Sequence, residues 1–538
     1  MRGRNSLAVF LLSLAAALVI APGRAQSQAP SSSANTLQLR QVGYLKASNA
    51  GAGDHFGCGG GLQGHAGNAT VISRDGNTIA IGAHHEQSSA KGMNGNQGDD
   101  SMYNAGAVYV FVRRGDTWVQ QAYIKALNTG QGDNFGYFVA LSADGNTLAA
   151  TANWEASAAT GVNANQNDDS IQQAGAAYVF VRTGDTWSQQ AYIKASNTGR
   201  AAASSEEWDD GDQFGTALAL SGDGNTLAVG AISEDSGATG INGDQKDDSA
   251  PSAGAVYVYR RTGATWSQQA YLKSAQIDAG DLFGFSLALN AEGNVLAVGG
   301  YEEDGSSTVV NGPYDNNLSG AGAVYIFRRS GTTWSQEAYL KSSTPDGGDS
   351  LGAFVAISDD GNTVAADALD EDTMANGVNA VRQGDRVLNT SSGAAYVFVS
   401  ENGTWKQQAS FKASNTGKED WFGVRLALSG DGHTLAIAAS MEDSAAQGIN
   451  GNQDDDSAAE AGAVYLFTRS GSQWTQRAYI KGSNTEAFDE FGSSIGLNRD
   501  GSIMVVSARG EDSAARGANG NQADNSADEA GAAYVFTH

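Results

Sequence analysis

The chain has 538 residues, of which 59 are acidic and 32 basic, giving a net charge of −27. Such a surface repels phosphate backbones and anionic lipid, which excludes electrostatic binding to nucleic acid or a membrane surface. It stays compatible with divalent cations, cationic partners and neutral glycans. The single cysteine, Cys58, excludes an internal disulfide, so the core alone must hold the fold, which a chain of this length can do.

In chain order, Arg2 and Arg4 precede an apolar run, Leu7 to Ile20, followed by the small residues around Ala21 to Ala25. This pattern predicts a secretory signal peptide, residues 1–25, cleaved after Ala25. A membrane anchor is the alternative, but the run is shorter than the ~20 residues that span a bilayer, and no membrane insertion is expected. Residues 26–36 are Ser/Ala/Gln-rich and read as a disordered leader. Removing residues 1–25 takes away three arginines and no acid, which leaves 29 basic against 59 acidic residues, or −30. The expected location is secreted, periplasmic or at the cell surface.

From there the sequence repeats. Gly-Ala-(Val/Ala)-Tyr-(Val/Ile/Leu)-(Phe/Tyr) starts at Gly106, Gly175, Gly254, Gly322, Gly393, Gly462 and Gly531, with gaps of 69, 79, 68, 71, 69 and 69 residues. A fixed period of this size marks a repeat architecture. In the third repeat, Phe214 to Ser221 alternates large and small residues, as a strand packed on both faces does. Gly222-Asp223-Gly224-Asn225 is a hairpin turn, since these residues tolerate positive φ. Thr226–Ala231, Ala255–Arg260 and Trp266–Lys273 supply three more strands. Four antiparallel strands, seven times over, predict an all-β fold, a seven-bladed β-propeller.

The last repeat stops after its third strand, at Tyr534-Val535-Phe536. Leu39 to Lys46 matches the fourth strands of the other repeats, so its pairing with the last blade closes the ring. A solenoid would instead leave an apolar edge at each end. The propeller is placed at 37–538: closing strand 37–46, then blades 47–125, 126–194, 195–273, 274–341, 342–412, 413–481 and 482–538.

Three signatures recur: Gly-Asp-x-Phe-Gly at the start of the first strand (Asp133 to Gly136, Asp212 to Gly215, Asp281 to Gly284), Gly-Ala at the end of the second (Gly82-Ala83, Gly230-Ala231) and Gly-Ala-Val-Tyr-Val-Phe in the third. Residues 37–538 therefore resemble the FG-GAP repeat, the blade of the integrin α-subunit propeller, and exported bacterial proteins built of it. The resemblance implies a binding or adhesion module. That family places a calcium loop rich in carboxylates in the first hairpin. Here the hairpin reads Ser221 to Thr226, or Ser429 to Thr434, with one carboxylate, too few for the about 6–8 oxygens calcium takes.

Because strand direction alternates, the loops after second and fourth strands share one face and the short turns share the other. Long loops on a rigid scaffold favour binding, so function is expected on the long-loop face. One loop motif recurs there: Asn450, Asn452, Asp454 and Asp456; Asn242, Asp244 and Asp248; Asn163 and Asn165; Asn94 and Asn96; Asn519 and Asn521. Oxygen side chains at alternate positions suit Ca²⁺; equally, Asn and Asp order loops through Asx-turns without metal. Blade one holds His55, His84 and His85 near Asp54, Cys58 and Glu86, a set that suits zinc, copper or another ligand, or else marks a diverged blade. Trp208, Trp154 and Trp421 fall on or near the same face, where Trp stacks on sugar rings or anchors a partner; burial between blades is the alternative. Arg114-Gly115-Asp116 spells an adhesion tripeptide but occupies a short turn whose equivalents keep only turn chemistry.

No phosphate loop, Gly-x-Ser-x-Gly elbow or His-Glu-x-x-His pair is present. The expectation is a monomeric, non-enzymatic module binding an extracellular protein or glycan, with calcium as the one cofactor considered. A polysaccharide hydrolase or lyase with its site at blade one, and a structural cell-surface protein, are the alternatives.

Overall fold

The computed structural model describes residues 39–58, 68–199, 211–380 and 390–538. The expected signal peptide, the leader and Trp208 lie outside them. The described residues form twenty-eight strands, β1 (Arg40–Leu45) to β28 (Ala532–Thr537), and no helix. They group into seven four-stranded antiparallel sheets in a ring. The third blade is typical: β10 (Phe214–Leu220), β11 (Thr226–Ala231), β12 (Ala255–Thr262) and β13 (Thr265–Leu272) pair in chain order. All six residues of β11 are buried, because each sheet is covered on both faces by its neighbours.

The seventh blade is completed by the chain start. β1 pairs antiparallel with β28, with Arg40 opposite Thr537 and Leu45 opposite Ala533. The edge that β28 would otherwise expose is thereby removed. In blade one the first strand is shorter than the repeat implies and lies later, at Thr70–Ile72.

The recurrent motifs are the joints between blades. Gly106 has φ +76, and a Cβ there would overlap the carbonyl oxygen of Phe135 in the next blade. Only glycine permits that approach. The same Gly-to-next-blade fit recurs at Gly175, Gly254, Gly322, Gly393, Gly462 and Gly531, the last meeting Phe56. The aromatic residue that follows the joint then packs edge-on against a third-strand tyrosine: Phe135 on Tyr178 at 5.3 Å, Phe214 on Tyr257 at 5.5 Å, Phe422 on Tyr465 at 5.3 Å. Each such pair adds ~0.5–1.5 kcal/mol beyond its area.

A buried ion pair fastens every blade. Lys125 Nζ donates to Glu86 at 2.8 Å, Lys194 to Glu155 at 2.9 Å, Lys273 to Glu234 at 2.9 Å and Lys481 to Glu442 at 2.8 Å. Lys341–Glu303, Lys412–Glu371 and Lys46–Glu511 complete the seven. The same glutamate accepts the hydroxyl of a fourth-strand tyrosine, as Tyr123 does for Glu86 at 2.8 Å and Tyr479 for Glu442 at 2.8 Å. Blade five has Ser410 in the tyrosine position.

Removing one carboxylate strands a buried ammonium, which costs about 3–5 kcal/mol. Glu442→Ala is therefore expected to lower the urea midpoint sharply. Glu401→Ala, which breaks an exposed pair with Lys406, should change stability by less than about 1 kcal/mol. Equal effects of the two variants would contradict this assignment.

Candidate functional site at the ring axis

Three columns of the repeat surround the axis on the long-loop face. The first is the residue between the repeated Asp and the joint aromatic. It reads His55, Asn134, Gln213, Leu282, Ser350, Trp421 and Glu490, with no residue type used twice. All seven have φ between 50 and 60°. An L-residue in this region carries a cost of ~1–2 kcal/mol that glycine would not, so seven different side chains are retained against a backbone preference.

The other two columns follow the second strand: His84-His85, Asn153-Trp154, Ile232-Ser233, Tyr301-Glu302, Leu369-Asp370, Ser440-Met441 and Arg509-Gly510. Again neither column repeats a residue. The next position is the ion-pair glutamate in every blade. Variable side chains thus sit directly beside invariant anchors.

The columns meet within blades. Leu282 and Tyr301 pack against the same apolar cluster in blade four, Arg509 pairs with Glu490 in blade seven, and the three histidines cluster in blade one. Their ring centroids are 4.0 Å apart for His84–His85, 4.7 Å for His55–His85 and 6.1 Å for His55–His84. His84 Nδ1 is 2.9 Å from the Cys58 carbonyl, and His55 Nε2 is 2.9 Å from a Glu529 oxygen. Burial lowers the pKa of all three; neighbouring histidines add to the effect on His84 and His85, and His85 falls to about 4.

Below this rim, Arg425 lies buried over the Phe354 ring, 4.2 Å from its centroid. Burial pulls the guanidinium down to about 10, opposed by Cys58, Tyr137 and Asp367. Asp367 is buried, and its carboxylate accepts the Phe354 amide at 2.6 Å. These groups come from blades one, two, five and six and interact only because all face the axis. The other half is apolar, with Ile232, Phe285, Ala353 and Phe354 in one cluster. The mouth thus combines polar groups from blades seven, one, two, five and six with an apolar cluster from blades three to five.

The sequence-predicted residues divide clearly. His55, His84 and His85 come together. Trp421 shares the His55 column and Trp154 the His85 column; Trp154 is 45% exposed, whereas Trp421 packs partly against the core. Trp118, Trp187, Trp266, Trp334, Trp405 and Trp474 are buried, and the Trp187 indole donates to Gln121 of the preceding blade. Arg114 of the adhesion-like tripeptide pairs with Asp185 of the neighbouring short turn at 2.9 Å.

The Asn/Asp loops are internally bonded. Asn94, Asn163, Asn242, Asn450 and Asn519 each accept, through Oδ1, the amide of a fourth-strand tyrosine at 3.0–3.1 Å. Asn96, Asn165, Asp244, Asn452 and Asn521 accept the amide two residues on, at 3.0–3.2 Å, which is an Asx-turn. Asp454 and Asp456 instead line a cavity of about 530 Å³ with Asn415, Asp420, Glu442 and Asp443. Asp248 has a partner of its own. Sequence reading missed Arg425, Arg509, Glu490 and Glu529. Aligning the repeats would have found the first two: Arg425 stands where other blades have Ala217, Ser286 or Phe354, and Arg509 where they have Ile232 or Leu369.

The fold and its axial mouth define a seven-bladed β-propeller. Residues 405–467 and 474–536 match the FG-GAP repeat. Each matched stretch runs from a fourth strand through the third strand of the next blade, so the chain carries FG-GAP repeats within residues 405–536. No curated protein matches it. Similar solved structures include a chain of the mitotic checkpoint complex (11% identity, 91% of this chain and 95% of that one, TM-score 0.44). Others are the RRP9 WD40 repeats (9%, 92% and 100%, TM-score 0.44) and the Pseudomonas aeruginosa periplasmic gluconolactonase PpgL (14%, 81% and 90%, TM-score 0.41).

The repeated Asp before the first strand carries a pH signature. Burial raises Asp54, Asp133, Asp281, Asp420 and Asp489 to about 7, and Asp212 to about 8. The folded state then holds protons that the unfolded chain releases above its ordinary carboxylate pKa. The resulting stabilisation is lost as pH rises through 7 to 8. The lowered histidines act oppositely, but only below about pH 6.5. Between about pH 8.5 and about pH 6.5 the melting temperature should therefore rise as pH falls; a flat or inverted profile by calorimetry would refute it.

Proposed function

We propose that this protein is an exported, non-enzymatic binding module that engages a protein or glycan with the rim of its axial mouth. The observation that carries the reading is the contrast between columns. The glutamate, lysine, aspartate and glycine that build each blade recur around the ring, while within each of the three rim columns no residue type occurs twice. A rigid scaffold presenting non-repeating side chains is how a symmetric fold recognises an asymmetric ligand. Large exposed apolar residues support the same face: Tyr103, Leu127, Trp154, Val309, Met374 and Phe488 all lie in the long loops, and among the described residues only Val119 lies elsewhere. The basic, apolar start of the chain supports export.

Calcium enters this reading through the acidic cavity rather than through the loop asparagines, whose carboxamides are engaged in turns. Besides the paired Glu442, four carboxylates, Asp420, Asp443, Asp454 and Asp456, face it, and hard oxygens suit Ca²⁺. If calcium contributes, adding it to EDTA-treated protein at about pH 8 raises the melting temperature by mass action; an unchanged melt removes calcium from the proposal.

Binding itself is tested on an array of neutral and acidic glycans and on immobilised extracellular proteins. Trp154→Ala is expected to weaken any hit at least ~10-fold, equivalent to about 1.4 kcal/mol. Lys406→Ala, on an outer strand near the short-turn face, should leave it unchanged. Equal binding by both variants would place recognition away from the rim.

A further inference from the structure

The geometry points to a three-histidine site for a divalent transition metal of the zinc or copper type at the mouth of blade one, formed by His55, His84 and His85. One ring nitrogen from each lies within 4.8 Å of the others. In a tetrahedral site with metal–nitrogen bonds of about 2.0–2.1 Å the nitrogens stand about 3.3 Å apart. The rings must draw in by about 1 Å, and His55 and His85, both partly exposed, are the two free to do so.

The hydrogen bonds already select the ligating atoms. His84 Nδ1 faces a carbonyl oxygen, Cys58 O at 2.9 Å, so it must donate, and Nε2 is left with its lone pair. His55 Nε2 faces a carboxylate oxygen of Glu529 at 2.9 Å, so it too donates and Nδ1 is left to ligate. A carbonyl or carboxylate behind each ligating histidine is the outer shell that such sites use to fix ring orientation.

The surrounding charge permits a cation. Arg509 opposes one, but it is paired with Glu490, and Glu529 adds a further negative charge. Histidine occupies these columns in blade one alone. Three nitrogen donors leave one of four positions open, directed to the rim. There the ion would take an oxygen donor from whatever the mouth holds. That last role rests on the rim being the binding surface, whereas the metal site does not.

Untagged, chelator-treated protein is titrated with Zn²⁺ and with Cu²⁺ by calorimetry, and metal content is checked by elemental analysis. One ion per chain is expected, with affinity falling at least ~100-fold in His85→Ala and in His55→Ala, and by ~10–100-fold in Glu529→Gln. His433→Ala, at an exposed turn on the other face, should bind as wild type. The two partly exposed histidines serve as variants because the buried His84 could be needed for folding. Cobalt substitution should give the visible spectrum of a nitrogen-rich four-coordinate ion, lost in His85→Ala. Absence of one-to-one binding, or its survival in the His55→Ala/His85→Ala double variant, overturns the site. Repeating the array with metal-free protein separates the two ideas. Undiminished ligand binding without any metal site defeats this inference and spares the rim, while one-to-one metal with no rim ligand does the reverse.

Discussion

The buried lysine–glutamate pair is the contact on which the rest of the ring depends. Each glutamate stands at the root of a long loop, and each lysine at the end of a fourth strand about forty residues away in most blades, as with Glu86 and Lys125. Taking two charges out of water is costly, so the pair is a weak source of net stability. Its value is specificity. With Lys Nζ on one carboxylate oxygen and Tyr Oη on the other, the glutamate side chain is fixed at both ends, and the loop can leave the blade in one direction only. In five blades an asparagine entering the blade ties the same carboxylate to its surroundings, as Asn128 does for Glu155 at 2.9 Å. The two residues before the glutamate inherit that direction and face the axis.

This division of labour explains how a repetitive chain carries a non-repetitive surface. The anchors are buried and identical, whereas the rim residues one or two positions away differ in every blade and range from buried, as His84 and Ile232 are, to exposed, as Trp154 is. Seven rim residues at positive φ show the backbone conformation being held by the joints on either side rather than by local preference. Substitution at the exposed rim positions therefore changes chemistry without changing the scaffold.

The strands, the number of blades and the closing strand were legible in sequence because they rest on local signals: Asp-Gly turns, alternation, and a fourth strand missing at one end and present at the other. The convergence of His55 with His84 and His85 was legible too, since strand direction alone puts them on one face. The ion-pair network was not, because a Glu and a Lys read singly as surface residues and only their recurrence at a fixed separation marks them as partners. Arg425 was hidden by its setting in an apolar first strand, and its neighbours across the axis come from other blades. The Asn/Asp loops show how one composition serves two ends. The oxygen-rich spacing that suggests a cation is also the spacing of successive Asx-turns, and the backbone amides claim most of those oxygens.

The pairing of β1 with β28 has a consequence for the order of folding. Arg40 finds its partner only at Thr537, so a strand made early must wait for β28. Blades one to six can form from contiguous chain, but the ring stays open, with a strand-edge unpaired, until β28 has been made. Contacts of such sequence separation are slow to form, and an open edge invites pairing with another chain. The circular closure that removes edges from the finished molecule therefore concentrates the hazard of misassociation into the interval before it closes.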